Sequence, residues 1–403
     1  MAAGALSAQR AGAVAVKPSE RLQRIPPYAF AELERKIAAK RAAGADVISL
    51  GIGDPDRPTP PLIVEAMQEA VSEAETHTYP SNRGREDFRG AVRDFYERRF
   101  DVQLDPDSEI IPALGAKEAI FNMNLAFLDP GDYALAADPG YPVYTGGPWL
   151  AGAQPVLMAL QSELGFVPDL GAIEEDVARR AKLMYLNYPN NPTGAVVPEG
   201  FFARVVEFAR AYEILVVHDN SYSEITFDGY RAPSFLATPG AKEVGVEIFS
   251  LSKAYNMTGW RCAVAVGNAS ALETYWRLKT NIDSGLFDAV QLAAVAALAP
   301  EVDQEVASMK ELYLRRRDLV CEALRAIGVS VRPPHGTIYV WAPVPDGFAS
   351  SAEYCAHVLE RAAVVLSPGA IYGPAGEGWF RISLTTPDDR LLEAVNRLAA
   401  LAL

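Results

Sequence analysis

Ile214-Leu215-Val216-Val217 is an unbroken apolar run that stops at His218-Asp219. It follows directly on a segment, 199–212, that carries Phe202, Val205, Val206 and Ala209 at helical spacing. A helix feeding a strand without polar alternation describes a strand covered on both faces, as in a parallel sheet flanked by helices. The pairing repeats on either side. Upstream, helical periodicity over 116–128 precedes Tyr133-Ala134-Leu135-Ala136, and Leu183-Met184-Tyr185-Leu186 is a further apolar strand. Downstream stand Val246-Glu247-Ile248-Phe249 and Ala263-Val264-Ala265-Val266. The centre of the chain thus predicts an α/β domain around a mostly parallel sheet, with ligands bound beyond the carboxyl ends of its strands.

The ends of the chain read differently. Val47-Ile48-Ser49-Leu50 is a short strand, closed by the proline-rich stretch 55–61. A long charged helix over 304–327 leads to the strands Ile338-Tyr339-Val340-Trp341 and Phe380-Arg381-Ile382-Ser383-Leu384, with a helix over 351–362 between them. This predicts a smaller α+β domain. The expected organisation is a flexible tail over 1–20, an N-terminal segment over 21–55 joining the small domain, a large domain over 56–300, and a small domain over 301–403.

Composition narrows the class. The 403 residues carry 37 Lys and Arg against 51 Asp and Glu, a net charge of −14, and half of them are apolar. That is a globular composition, and it argues against a nucleic-acid binder, which needs a concentrated basic face. No apolar run approaches the ~20 residues of a membrane span. Cys262, Cys321 and Cys355 are too few and too scattered for a disulfide framework. Together with His77, His218, His335 and His357 they lack metal-ligand spacing, so no metal is expected and a reducing, cytoplasmic setting is.

Three motifs carry polar chemistry, and each alone has a plain reading. Asn190-Asn191-Pro192-Thr193-Gly194 is a turn signal. Asp219, with Tyr222 three residues on, suits a helix N-cap. In Ser250-Leu251-Ser252-Lys253, with Arg261 eight residues later, the lysine is either a solvated loop residue or a Schiff-base lysine. The hydroxyls and the guanidinium suit a phosphate. In this order along one chain, the three resemble the fold-type I (class I/II) aminotransferases, which are pyridoxal-phosphate enzymes, from about Arg21 to Ala400. Thr78-Tyr79-Pro80-Ser81-Asn82-Arg83-Gly84, Asp138-Pro139-Gly140-Tyr141-Pro142-Val143-Tyr144 and Asn281-Ile282-Asp283-Ser284-Gly285 are most similar to the LL-diaminopimelate aminotransferase branch.

The resemblance implies pyridoxal 5′-phosphate bound covalently to Lys253, with Asp219 against its ring nitrogen and Tyr222 and Asn191 on its phenolic oxygen. Tyr141 would stack on the ring. The backbone of Ala116 and Lys117, with Ser250, Ser252 and Arg261, would hold the phosphate, and Tyr79 would reach it from the second subunit of a homodimer. Arg381, otherwise a plain surface arginine, would pair with the substrate α-carboxylate beside Gly53 and Asn191. Tyr28 would close over substrate or simply anchor the N-terminal segment. Lys117, and across the dimer Asn281 and Ser284, would reach the distal end of substrate. The implied reaction moves an amino group between an amino acid and a 2-oxo acid, LL-diaminopimelate with 2-oxoglutarate first. Other aminotransferase specificities, a pyridoxal-phosphate lyase or oxidase, and a cofactor-binding regulatory subunit are the alternatives. Ala116 in place of a usual serine, Phe249 in place of a usual histidine, and Cys262-Ala263 depart from the pattern, and none removes a catalytic group.

Overall fold

The aliphatic runs become strands that seat helices on both sides. A computed structural model describes residues 16–25 and 29–401, with side chains from Glu34 onward in the second stretch. Among these residues, twelve strands form three sheets. In chain order they are β1 (Ile48–Ser49), β2 (Ile110–Ala113), β3 (Tyr133–Asp138), β4 (Gln154–Ala159), β5 (Ala181–Asn187), β6 (Leu215–Asn220), β7 (Gly245–Ser250), β8 (Ala263–Gly267), β9 (Tyr339–Pro343), β10 (Val364–Val365), β11 (Ser367–Pro368) and β12 (Trp379–Ser383).

The large sheet has seven strands in the order β2-β8-β7-β6-β5-β3-β4. Pairs among β3 to β7 are parallel, as expected. The exception is β8, antiparallel to both β7 and β2. The chain returns from Ser250 to Ala263 through one short helix, Leu251–Ala254, and a turn, Thr258–Trp260, with no full crossover helix. A return of that kind suits antiparallel neighbours. Strands β2 and β4, which hydropathy alone did not single out, contain Pro112 and Pro155 and lie at the two sheet edges, where a missing N–H is tolerated.

Strand alternation divides the sheet residues between two cores. Met184, Leu186, Val216 and Phe249 join one apolar cluster; Leu183, Tyr185, Val217 and Ile248 join another. The helix Phe201–Tyr212 buries Phe201, Phe202, Val205, Val206 and Ala209 against the first. Each large side chain there contributes roughly 1.5–3 kcal/mol. The helix Ala116–Phe127 covers the second with Ala119, Ile120 and Met123.

The two chain ends meet in the other sheets. Strand β1 pairs in parallel with β10, and β12 lies antiparallel between β11 and β9. Ser383 N donates to Leu50 O at 2.7 Å, and Ser367 Oγ donates to Gly51 O at 2.7 Å. Arg316, buried on the helix Asp303–Ala326, forks onto both Asp56 oxygens at 2.7 and 2.8 Å. The stretch 51–56 is therefore held on two sides. Near the N-terminus, Glu20–Gln23 forms a short helix capped by Ser19, whose Oγ accepts from Leu22 N. Residues 1–15 of the expected tail, and Tyr28, lie outside the described residues.

Candidate active site

Asn187 and Ser250 end β5 and β7, and Asp219 is the next-to-last residue of β6 between them, all on the same edge of the sheet. They open into a cavity of about 350 Å³, within the ~300–1,000 Å³ of small-molecule sites. Its wall gathers Gly53, Ala116, Lys117, Tyr141, Asn191, Asp219, Tyr222, Ser250, Ser252, Lys253, Arg261 and Arg381. These come from both the central part of the chain and its two ends. Tyr79, Asn281 and Ser284 lie outside this wall. Tyr79 is 88% exposed, and its loop touches the other segment, since a side chain at Gly285 would meet Pro80 at 3.1 Å.

Asp219 is buried at the floor. Tyr144 Oη donates to its Oδ2 at 2.8 Å, Ser221 Oγ donates to Oδ1, and Asn187 Nδ2 holds its backbone oxygen at 2.8 Å. Burial pushes the carboxyl above its ordinary range, with Ser221, Tyr144 and His218 acting against the shift. Lys253 is held by its Nζ, which donates to Gly53 O at 2.7 Å. Burial lowers the Lys253 ammonium below the ordinary lysine value; Tyr339 and Asp54 oppose this, and Arg381 and Arg261 add to it. A desolvated lysine among cations is a ready nucleophile and base.

The turn over 190–194 is a locked turn as well as a wall. Asn190 Oδ1 accepts from Thr193 N and Oγ1, and Asn187 Oδ1 accepts from Asn191 N at 2.8 Å. Asn191 Oδ1 accepts from Arg381 Nη1 at 2.8 Å, so its Nδ2 remains a donor toward the cavity. Arg381 Nη2 donates to Gly51 O at 2.9 Å. The guanidinium lies between two rings, 3.8 Å from the Tyr339 centroid and 4.9 Å from that of Tyr372. Arg381 is 2% exposed, so the surface reading of this residue does not hold.

A phosphate cradle can be tested from the backbone. The helix Ala116–Phe127 starts after Gly115 with no side-chain cap, leaving its first N–H groups for a ligand. Gly115 has φ +87°, and a Cβ there would strike the Arg261 guanidinium. The close approach puts Arg261 over the helix N-terminus, with Arg261 Nη1 donating to Thr258 O at 2.8 Å. Ser250 and Ser252 line the same cavity. Donors of this kind suit a phosphate, and Asp219, Asn191, Tyr222 and Lys253 suit a pyridine ring with a nitrogen, a phenolic oxygen and an aldehyde. The residues fit pyridoxal 5′-phosphate. Ala116 adds no hydroxyl to the set, and Phe249 packs on Phe95 at 5.0 Å in the core, away from the ligand side.

Tyr339, Tyr144, Ser221, Thr258 and Asp54 belong to the site and were not found from sequence. Tyr144 sits three residues after Tyr141 in the quoted stretch, a spacing that could have marked it. Tyr339 lay hidden inside an apolar strand.

Comparison with known proteins agrees with this geometry. The family model described as aminotransferase class I and II matches residues 45–398. An LL-diaminopimelate aminotransferase of Desulforudis audaxviator is 54% identical over 94% of this chain and 96% of its own length. One of Moorella thermoacetica is 51% identical over 95% and 98%. The substrate-bound structure of BacF from Bacillus subtilis superposes with a TM-score of 0.93 at 36% identity, covering 97% of this chain and 98% of that one. The match spans every strand that carries the cavity, and the chain belongs to the class I and II aminotransferases, enzymes that work with pyridoxal 5′-phosphate.

Proposed function

We propose that this aminotransferase takes the amino group of LL-diaminopimelate and gives it to 2-oxoglutarate. The observation that carries the reading is a cavity with two separate cationic partners for carboxylates. Arg381 is buried and clamped in place, and Lys117 stands on another wall. Both proposed substrates carry two carboxylates. Relatives about half identical over nearly the whole chain, named LL-diaminopimelate aminotransferases, single out the donor.

In this reading Lys253 would hold the cofactor and, once displaced by the substrate amine, its Nζ would take the proton from substrate Cα and deliver it to the cofactor's aldehyde carbon rather than back to Cα. Pyridoxal phosphate supplies the electron sink for the pair freed at Cα. Asp219, kept in place by Tyr144 and Ser221, faces the ring nitrogen. A positive charge on the ring nitrogen would favour the ionised form of the Asp219 carboxyl. Tyr222 and Asn191 donate to the phenolic oxygen, and Tyr141 covers the ring. Arg261, Ser250, Ser252 and the backbone of Ala116 and Lys117 bind the phosphate. Arg381 and Gly53 orient the α-carboxylate, and the buried floor excludes water.

The same reading makes the active form a homodimer. Tyr79, Ile282 and Phe287 are exposed large apolar side chains, and a second copy would cover them while Tyr79 reaches the phosphate and Asn281 and Ser284 the distal substrate. A large unit over 56–300, a small one over 21–55 and 301–403, and a reducing cytoplasmic setting complete the proposal. The described residues include no helix long and apolar enough to cross a membrane, and the three cysteines are free and buried.

The test is a panel of amino donors against 2-oxoglutarate, following glutamate formed and the visible absorbance of the bound cofactor. LL-Diaminopimelate is expected to give glutamate one for one, with no ammonia or peroxide. Turnover with other donors and none with LL-diaminopimelate would remove this substrate.

A further inference from the structure

Tyr339, on β9, touches three residues of the site. Its ring lies under the Arg381 guanidinium at 3.8 Å and meets the Tyr222 ring edge-on at 5.9 Å and 67°. Its hydroxyl is 3.3 Å from the Tyr222 hydroxyl, and both phenols are buried. A Cβ on Gly53 would strike the same hydroxyl, so only glycine lets the Gly53 carbonyl reach Lys253 while Tyr339 is in place.

A phenol has one proton to give. If Tyr222 spends its proton on the cofactor's phenolic oxygen, the contact between the two hydroxyls has only one direction left. We propose that Tyr339 is a positioning residue that donates its phenol proton to Tyr222 Oη and so turns the Tyr222 proton toward the cofactor, while its ring seats Arg381. The proposal rests on the reading of Tyr222 given above. Donors in a chain polarise one another, so the bond from Tyr222 to the phenolic oxygen strengthens.

The charges facing this pair are consistent with that direction. Burial pushes the Tyr339 phenol up, but the Arg381 and Lys253 cations and the bonds to Tyr222 and Arg381 outweigh it and hold the phenol below the ordinary tyrosine value. Burial, followed by Tyr339, raises the Tyr222 phenol well above that value, Asp219 adds to the rise, and Arg381 opposes it. Asp54 and Arg261 face Lys253 from the remaining sides. The direction of both shifts agrees with Tyr339 as the donor of this pair.

The experiment titrates the visible absorbance of the holoenzyme against pH in wild type, Tyr222→Phe, Tyr339→Phe and the double variant. A donor on the phenolic oxygen lowers the midpoint, so each single variant is expected to raise it. The rise for Tyr339→Phe is expected to be roughly 0.5–1 pH unit, the smaller of the two. In the Tyr222→Phe background the second change should add nothing. Tyr339→Phe keeps the ring and should change the KM for the amino donor less than Tyr339→Leu, which should raise KM several-fold with the same midpoint shift. A shift in Tyr222→Phe with none in Tyr339→Phe overturns this inference and leaves the role of Tyr222 standing. An equal Tyr339→Phe shift in the Tyr222→Phe background also overturns it. No shift in Tyr222→Phe removes the role of Tyr222 and this inference with it.

Discussion

His218 and Asp219 are consecutive residues of β6, and strand alternation sends them to opposite faces of the sheet, into two differently built polar clusters. Behind the sheet, Glu247 lies opposite His218 in the register of β7, 2.8 Å from its Nδ1. Glu247 also accepts from Tyr96 Oη, Asn220 Nδ2 and Ser234 Oγ at 2.9 Å and from Phe235 N at 2.8 Å. Five donors from one chain surround one buried carboxylate, which leaves none of its oxygens for a ligand. In front, burial lowers the ammonium groups of Lys253 and Lys117, with Arg381 and then Arg261 adding to the shift at Lys253 and Arg261 at Lys117. Like charges pressed together in a cavity favour the neutral amine and an anionic ligand. The comparison teaches that burial of charge alone does not mark a site. What marks it is burial of charges that oppose one another.

The first way to break this comparison is Lys253→Ala. If the front cluster exists for chemistry, turnover falls by about four orders of magnitude or more, while circular dichroism and melting temperature stay near wild type. Substantial turnover with cofactor still bound would end the mechanism. The mirror experiment is Glu247→Ala, which strands five buried donors. It should cost about 3–5 kcal/mol of stability, read from the urea midpoint, with kcat per folded molecule close to wild type. Burial pushes the Glu247 carboxyl up, but His218, Asn220 and Phe235 outweigh it and hold it below the ordinary value near 4.5. A depressed carboxyl stabilises above its unfolded value and loses that contribution as pH falls through the folded one. The gap between wild type and Glu247→Ala should therefore be full at neutral pH and shrink in acid. A gap that widens in acid would mean that Glu247 is buried neutral.

How much of this division could be read from the chain follows from the same alternation. The apolar runs 183–186, 214–217, 246–249 and 263–266 gave four central strands because strands covered on both faces need no polar alternation. The edge strands β2 and β4 escaped because Pro112 and Pro155 speak against a strand unless its edge position is known. The cofactor residues were legible as short motifs, since Asn191, Asp219, Lys253 and Arg261 each sit at a strand end or in the turn after it, at fixed spacing. Tyr339 and Tyr144 were not. Each reaches the site from an element whose sequence is satisfied by packing alone, and only the fold brings Tyr339 within reach of Tyr222, 117 positions away. The Glu247 cluster was equally hidden, because a single acid in an apolar strand gives no sign of which residues of other elements will meet it.

A smaller effect sharpens the boundary between the clusters. Tyr144 is packed like a core residue, stacked on Tyr185 at 5.5 Å and 11°, yet its hydroxyl serves Asp219. Tyr144→Phe keeps the packing and removes one donor from the carboxylate. About 1.4 kcal/mol of lost hydrogen bonding corresponds to roughly a tenfold fall in kcat. Tyr144 lowers the Asp219 carboxyl, so its loss should raise that carboxyl further and move the acid limb of kcat/KM to higher pH. A fall in melting temperature without movement of that limb would assign Tyr144 to the core.

The smallest expected effect lies where the chain crosses from one region to the other within a single step. Arg261 faces the cavity, and Cys262 is fully buried in the apolar core that also holds Phe249. Burial pushes the Cys262 thiol up to about 12 and the Cys321 thiol up to about 11, and Cys355 rises further for the same reason. At pH 8 a thiol of pKa about 12 is ionised to about one part in ten thousand, and the thiolate is the reactive form. Native enzyme treated with iodoacetamide at pH 8 should therefore keep all three thiols and its full activity, and should take up three labels only after denaturation. Rapid labelling of Cys262 in the native state, with loss of activity, would mean that the cavity extends past Arg261 into the region assigned here to the closed core. The strand after Lys253 would then belong to the site rather than to its support.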